Sequence, residues 1–125
     1  MDRQGAEMPG WNLVLRFVLE VACLVGIGVA GWQVTPALGI AGSVMAAAAW
    51  GVFAVPDDPG RHGEALVPVH GWLRLLMELA VFIGGAAAWL VAGRLAVSVS
   101  LAALVVLHHV VALPRLRWLL MQRAS

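Results

Sequence analysis

Arg16 and Glu20, and again Arg74 and Glu78, stand four residues apart in stretches that are otherwise apolar. On a helix that spacing puts both charges of a pair on one face, where each neutralises the other. Each Glu lies about two turns inside its apolar stretch, on the order of 10 Å from its start at ~1.5 Å per residue. His108 and His109 reach a comparable depth before Pro114, Trp50 falls near the same level, and Asn12 lies nearer the surface. A carboxylic acid kept neutral by apolar surroundings donates protons, so Glu20 or Glu78 is a candidate general acid if its Arg turns towards the membrane interface. His108 or His109 is a candidate proton carrier or hydrogen-bond partner of that acid. Adjacent helical residues point about 100° apart, so only one of the two addresses a common centre and the other faces a neighbouring helix. Trp50, Phe17, Phe82 and Trp89 offer ring faces to a developing carbocation. With Arg16 and Arg74 they complete a candidate substrate-binding set.

The same residues have a structural reading. Each Arg snorkels to the headgroups, each Glu satisfies its Arg or an open helix end, and the rings fill lipid-facing space, so that the whole is a polar clasp. Both readings rest on one fact. Ionisable groups in hydrocarbon are costly, and they persist where they face a bundle interior or one another.

The elements that position these residues follow from composition. The chain has 125 residues, 62% hydrophobic and only 12% charged, with a mean hydropathy of +0.90. A soluble globule of this size could not hide so much apolar surface, so lipid is the expected solvent. A bilayer core about 30 Å thick takes roughly 20 helical residues. Four stretches qualify: Leu13 to Trp32, Ala37 to Val55, Trp72 to Ala92 and Leu95 to Leu113. The first is retained rather than cleaved, because Arg16 and Glu20 interrupt it. Gly93 and Arg94 alone separate the last two, which requires a tight reversal.

All eight basic residues are arginine. Arg3, Arg16, Arg61, Arg74, Arg115, Arg117 and Arg123 fall on the side of both termini and the central loop, and only Arg94 falls opposite. Basic residues near span ends stay cytoplasmic, so both termini and the loop 57–71 are expected there. Trp11, Trp72 and Trp118 sit where interfacial indoles are expected. Gly26, Gly28, Gly39, Gly42, Gly84 and Gly85 allow close helix approach.

Shifted by 58 residues, LRFVLEVACLVG (Leu15 to Gly26) aligns with LRLLMELAVFIG (Leu73 to Gly84), and WGVFAVP (Trp50 to Pro56) with HHVVALP (His108 to Pro114). The fold expected is therefore a single all-α domain over 1–125, an integral membrane four-helix bundle built from two parallel copies of a helical hairpin, 15–56 and 73–114.

The net charge of +1 gives no reason to expect nucleic acid. Cys23 is the sole cysteine, which excludes an intramolecular disulfide and a CxxC site. The loop carries Asp57, Asp58, Arg61, His62, Glu64 and His70. Paired aspartates suit a hard cation, but a stretch so rich in Pro, Gly and Asp reads first as a solvated turn. Glu, Glu and His without E-x-x-H spacing are a weak metal signal, and no cofactor motif occurs, so no metal or cofactor is expected.

NLVLRFVLE at Asn12 to Glu20, WGVFAVP at Trp50 to Pro56 and LRLLMELAVF at Leu73 to Phe82 resemble the YrdB-like small four-helix bacterial membrane proteins, over roughly Asn12 to Leu113. The resemblance implies architecture and no assigned common activity. The His108–His109 pair and the long acidic loop depart from the usual pattern.

The function expected from the residues is a membrane-embedded acid-base enzyme acting on a lipophilic substrate. The best-fitting reaction is cyclisation of a terpene or prenyl chain begun by protonation of an alkene or epoxide. The alternatives are a small proton- or ion-coupled transporter, which needs oligomerisation to build a pathway, and a structural membrane partner subunit. The location expected is the bacterial inner membrane, with the lipid bilayer, a lipophilic small molecule and a second copy of the chain as the partners in view.

Overall fold

The computed structural model describes residues 7–56, 58–59 and 67–122. The protein is all-α, with five helices among the described residues: α1 (Gly10–Val34), α2 (Pro36–Val52), α3 (Gly71–Val91), α4 (Leu95–Val111) and α5 (Leu113–Leu120). Among the described residues α1 and α3 are each long and apolar enough to cross a membrane, and the α4 to α5 pair, bent by 71°, makes a third if the two are counted as one span. α2 is shorter and apolar. Of the aspartates, Arg61, His62 and Glu64 noted in the central loop, only Asp58 lies within the described residues, as do His70 at its end and, of the outer arginines, Arg94 and Arg117.

Both hairpin turns are written in local chemistry. Thr35 alone separates α1 from α2. Its backbone is extended, its Oγ1 accepts from the Leu38 amide at 3.1 Å, and Pro36 supplies a first helical residue that needs no donor. The chain can reverse that sharply because Gly28 and Gly31 of α1 press against Gly39 of α2. A Cβ on Gly39 would lie 2.6 Å from the Gly28 carbonyl oxygen. Between α3 and α4, Gly93 takes φ 85°, and the amides of Gly93 and Arg94 bond the carbonyls of Leu90 and Trp89. This is the left-handed helix stop that glycine permits at least cost.

α1 and α3 lie side by side at the centre, α2 flanks α1, and α4 flanks α3 and touches α1. Apolar packing occupies two levels. Leu19, Cys23, Phe82, Leu101 and Val105 form one core, with Trp50 and Trp89 against it. Val55, Val69, Trp118 and Leu119 form the other, beside α5. The charged residues lie between them.

The structure adds two features to the expected elements and corrects the reading of Trp118. Pro114 does not end the helical chain. It is the second residue of α5, in the first turn where its missing amide costs nothing, and α5 turns away from α4. Trp118 is not an interfacial indole, since it is buried in the α5 core, whereas Trp11 and Trp72 are exposed. The inter-hairpin loop is not wholly irregular: Phe53–Ala54 (β1) and Val67–Pro68 (β2) pair in parallel, and the Val69 amide bonds the Ala54 carbonyl at 2.8 Å.

Candidate functional site

The centre of the polar layer is Glu78, which is fully buried. Its helix starts at Gly71, so position 78 points inward on the stripe that also carries Arg74, Phe82 and Gly85. Three guanidiniums converge on this carboxylate. Arg16 of α1 reaches Oε1 at 2.7 Å and Oε2 at 3.4 Å. Arg74, one turn back on α3, donates from Nε to Oε1 at 3.0 Å. Arg115, at the start of α5, donates to Oε1 at 2.6 Å and to Oε2 at 3.0 Å.

Arg115 is also a two-pronged donor to Asp58, at 2.7 and 2.6 Å, the fork geometry that suits guanidinium to carboxylate. It is completely buried in α5, outside the long apolar helices. Glu78 and Asp58 together compensate its buried charge.

Glu20 is the outlying carboxylate. Arg16 Nε lies 3.1 Å from its Oε1, at an angle that makes no hydrogen bond, so that contact is ionic alone. The Trp50 side chain lies beside Glu20. Glu20 retains 21% side-chain exposure, while Glu78 has none. The layer thus holds Arg16, Arg74 and Arg115 against Glu20, Glu78 and Asp58, and the formal charges cancel.

The expected helical pairs exist, but they are not self-contained. Arg16 reaches across to Glu78 on the other hairpin, and Arg74 Nη1 donates to the carbonyls of Trp50 and Phe53 at 2.7 and 2.6 Å. Those oxygens belong to the open end of α2, so the second hairpin caps a helix of the first. The guanidiniums of Arg16 and Arg74 lie 5.0 and 4.7 Å from the centre of the Trp50 ring, within cation-π range.

The two histidines divide their duties as adjacent helical residues should. His108 is buried in the layer. Its Nδ1 lies 2.9 Å from Asn12 Oδ1 and its Nε2 lies 3.5 Å from Arg16 Nη1. Asn12 directs its amide nitrogen at the His108 carbonyl and Met8 sulfur. The network therefore assigns the proton to Nδ1 and leaves Nε2 as acceptor. His109 turns back to the Val105 carbonyl at 2.8 Å and meets Phe82 edge-on at 5.4 Å.

Glu20, Glu78, Arg16, Arg74, Trp50, Phe82 and His108 are brought together, with His109 at the edge. Phe17 is 64% exposed and points away. Trp89 belongs to another level, where its indole donates to the Ala22 carbonyl at 2.9 Å beside Gly26. Sequence reasoning missed Arg115 and Asp58 as members of the layer. The signal was in the repeat: each copy ends in V-x-A-x-P, followed by Asp57 and Asp58 in the first and by Arg115 in the second, opposite charges at matching places.

A family described as a protein of unknown function (DUF2568) matches residues 14–106. The chain belongs to it. The DUF2568 match takes in Arg16, Glu20, Trp50, Asp58, Arg74, Glu78 and Phe82, and stops short of His108 and Arg115. The chain is also similar to the uncharacterized protein YrdB of Bacillus subtilis (strain 168), at 38% identity over 120 residues, covering 89% of this chain and 94% of that protein. This agrees with the resemblance seen in the motifs. No solved structure matches.

Proposed function

We propose that this chain is a multi-pass protein of a bacterial inner membrane that acts as a structural partner subunit, with the polar layer as the clasp that holds its hairpins together. In this proposal α1 to α4 all enter the bilayer as two parallel hairpins, with both termini and the central loop cytoplasmic. The observation that carries it is the saturation of Glu78. A carboxylate with no exposure and three guanidinium partners has both oxygens enclosed by donors, which leaves it no open side for a substrate. Described surface recesses of about 490 and 350 Å³ are lined by other, mainly apolar residues. Outward apolar side chains, such as Leu38, Ile40, Val44 and Met45 of α2, offer helix faces to lipid or to a membrane partner, a second copy of the chain included.

A second proposal keeps the acid-base enzyme and centres it on Glu20. That carboxylate retains exposure and touches the Trp50 indole. It is therefore the group in the layer best placed to meet a lipophilic substrate, such as a prenyl chain to be cyclised.

Two substitutions separate the proposals. Under the clasp, Glu78→Gln lowers thermal stability in detergent sharply and Glu20→Gln does so mildly. Under the enzyme, Glu20→Gln leaves stability unchanged and abolishes conversion of a prenyl epoxide. Topology is checked by single-cysteine labelling at Arg94 and Gln122 in a Cys23→Ala background. Labelling of both from the same side of sealed vesicles would refute the four-span arrangement.

A further inference from the structure

α5 sends its residues in two directions. Arg115, Trp118 and Leu119 are buried inward, while Leu113, Leu120 and Met121 are 44%, 58% and 55% exposed and Arg117 is exposed with them. Positions 117, 120 and 121 are neighbours on one helical face. α5 has no acidic residue of its own, and its other guanidinium, Arg115, is already occupied by Glu78 and Asp58. Arg117 is therefore an outward cation set among apolar side chains. Beside it, between the end of α5 and the start of α3, opens a recess of about 640 Å³ lined by His70, Trp72, Leu120, Met121 and Gln122. Its wall is part polar, from His70 and Gln122, and part apolar.

An amphipathic helix bent away from a span, with a basic residue beside leucines and a nearby exposed indole, matches the boundary between hydrocarbon and headgroups. We propose that the outer face of α5, together with this recess, is a docking surface for an anionic phospholipid. Arg117 takes the phosphate, the polar wall of the recess takes the rest of the headgroup, and an acyl chain runs along Leu113 and Leu120. The charge selects the occupant, because a cation without an acidic neighbour on its helix favours an anionic headgroup over a zwitterionic one. The inference rests on the membrane-spanning proposal above. The recess is rigidly framed: the Gly71 amide bonds the Gln122 carbonyl at 3.1 Å, so the two helix ends lining it are joined.

The test uses the whole protein purified in a nonionic detergent. Phosphatidylglycerol, phosphatidylcholine of the same acyl chains, and soluble glycerol 3-phosphate are each titrated, with thermal unfolding and native mass spectrometry as readouts. Phosphatidylglycerol is expected to raise the melting temperature and to persist as a stoichiometric adduct, while the other two do neither. Arg117→Ala and Arg117→Gln should each weaken that binding about fivefold, and Arg94→Ala, at the opposite end of the molecule, should leave it intact. Equal effects of the two lipids, full retention in both Arg117 variants, or equal loss in the Arg94 variant would overturn the proposal. A shift with glycerol 3-phosphate as large as with the lipid would also overturn it, by showing a site for a free phosphate. Release of the protein from membranes by alkaline carbonate would instead sink the spanning proposal. Firm retention without lipid preference would sink the docking surface alone.

Discussion

Glu78→Gln replaces the central acceptor by a side chain of nearly the same shape. The carboxylate now accepts five guanidinium contacts of 2.6 to 3.4 Å from three arginines. Glutamine leaves one carbonyl oxygen for them and turns an amide donor towards at least one guanidinium, so contacts are lost and a donor faces a donor. The layer also moves from neutral to a charge of +1, because Glu20 and Asp58 alone then oppose Arg16, Arg74 and Arg115. Removing one partner of a buried ion pair costs about 3–5 kcal/mol, and for a domain of this size that is a fall of about 10 °C or more in melting temperature. Thermal unfolding in detergent, followed by tryptophan fluorescence, reads it directly. Adding Arg115→Gln restores neutrality, so the double variant should lose clearly less than the sum of the singles. A Glu78→Gln protein melting within two or so degrees of the parent, or strict additivity in the cycle, would refute the clasp.

Other expectations concern backbone approach and the histidine. A Cβ on Gly71 would overlap the Leu119 carbonyl oxygen. Gly71→Ala should therefore detach the end of α5 at a cost of about 3 kcal/mol or more, seen as a lower melting temperature and faster tryptic cleavage at Arg115 and Arg117. Gly85→Ala would bring a methyl within 2.7 Å of Cys23, its backbone included, whereas Gly84→Ala meets nothing within 4 Å. The first should destabilise clearly, the second should not, and equal melting temperatures would contradict the packing of α1 on α3. Asn12→Ala leaves His108 Nδ1–H without its acceptor and should cost about 1–3 kcal/mol, with a change in the His108 ring resonances by NMR.

The parts of this fold visible in the sequence are those set by local chemistry. α1 and α3 follow from long apolar runs, and Thr35–Pro36 and Gly93 mark their reversals. The charged layer was visible because Arg and Glu at i, i+4 persist deep in an apolar run only where they meet each other or a bundle interior. Its partners were harder to see, since which carboxylate an arginine reaches across helices depends on packing. Arg16 hydrogen-bonds Glu78 at 2.7 Å, whereas its contact with its own pair mate Glu20 is ionic alone. α5 was hidden by Pro114, which reads as a stop but is also accommodated in the first turn of a new helix. Trp118 went astray with it. An indole near a span end reads as interfacial until a helix such as α5 gives it an inside.

The pairing of Arg16 with Glu20 and of Arg74 with Glu78 also bears on biogenesis. In the proposed membrane arrangement each hairpin brings one positive and one negative group four residues apart, so each would enter lipid with that pair electrically neutral. The cross-links come only afterwards. Arg115 is the last of the layer's arginines in sequence, and it touches both Glu78 on α3 and Asp58 in the inter-hairpin loop. In that arrangement, entry and locking would fall to different contacts: two short-range pairs accompany the halves, and Arg16–Glu78, Arg74 on the end of α2 and Arg115–Asp58 tie them together.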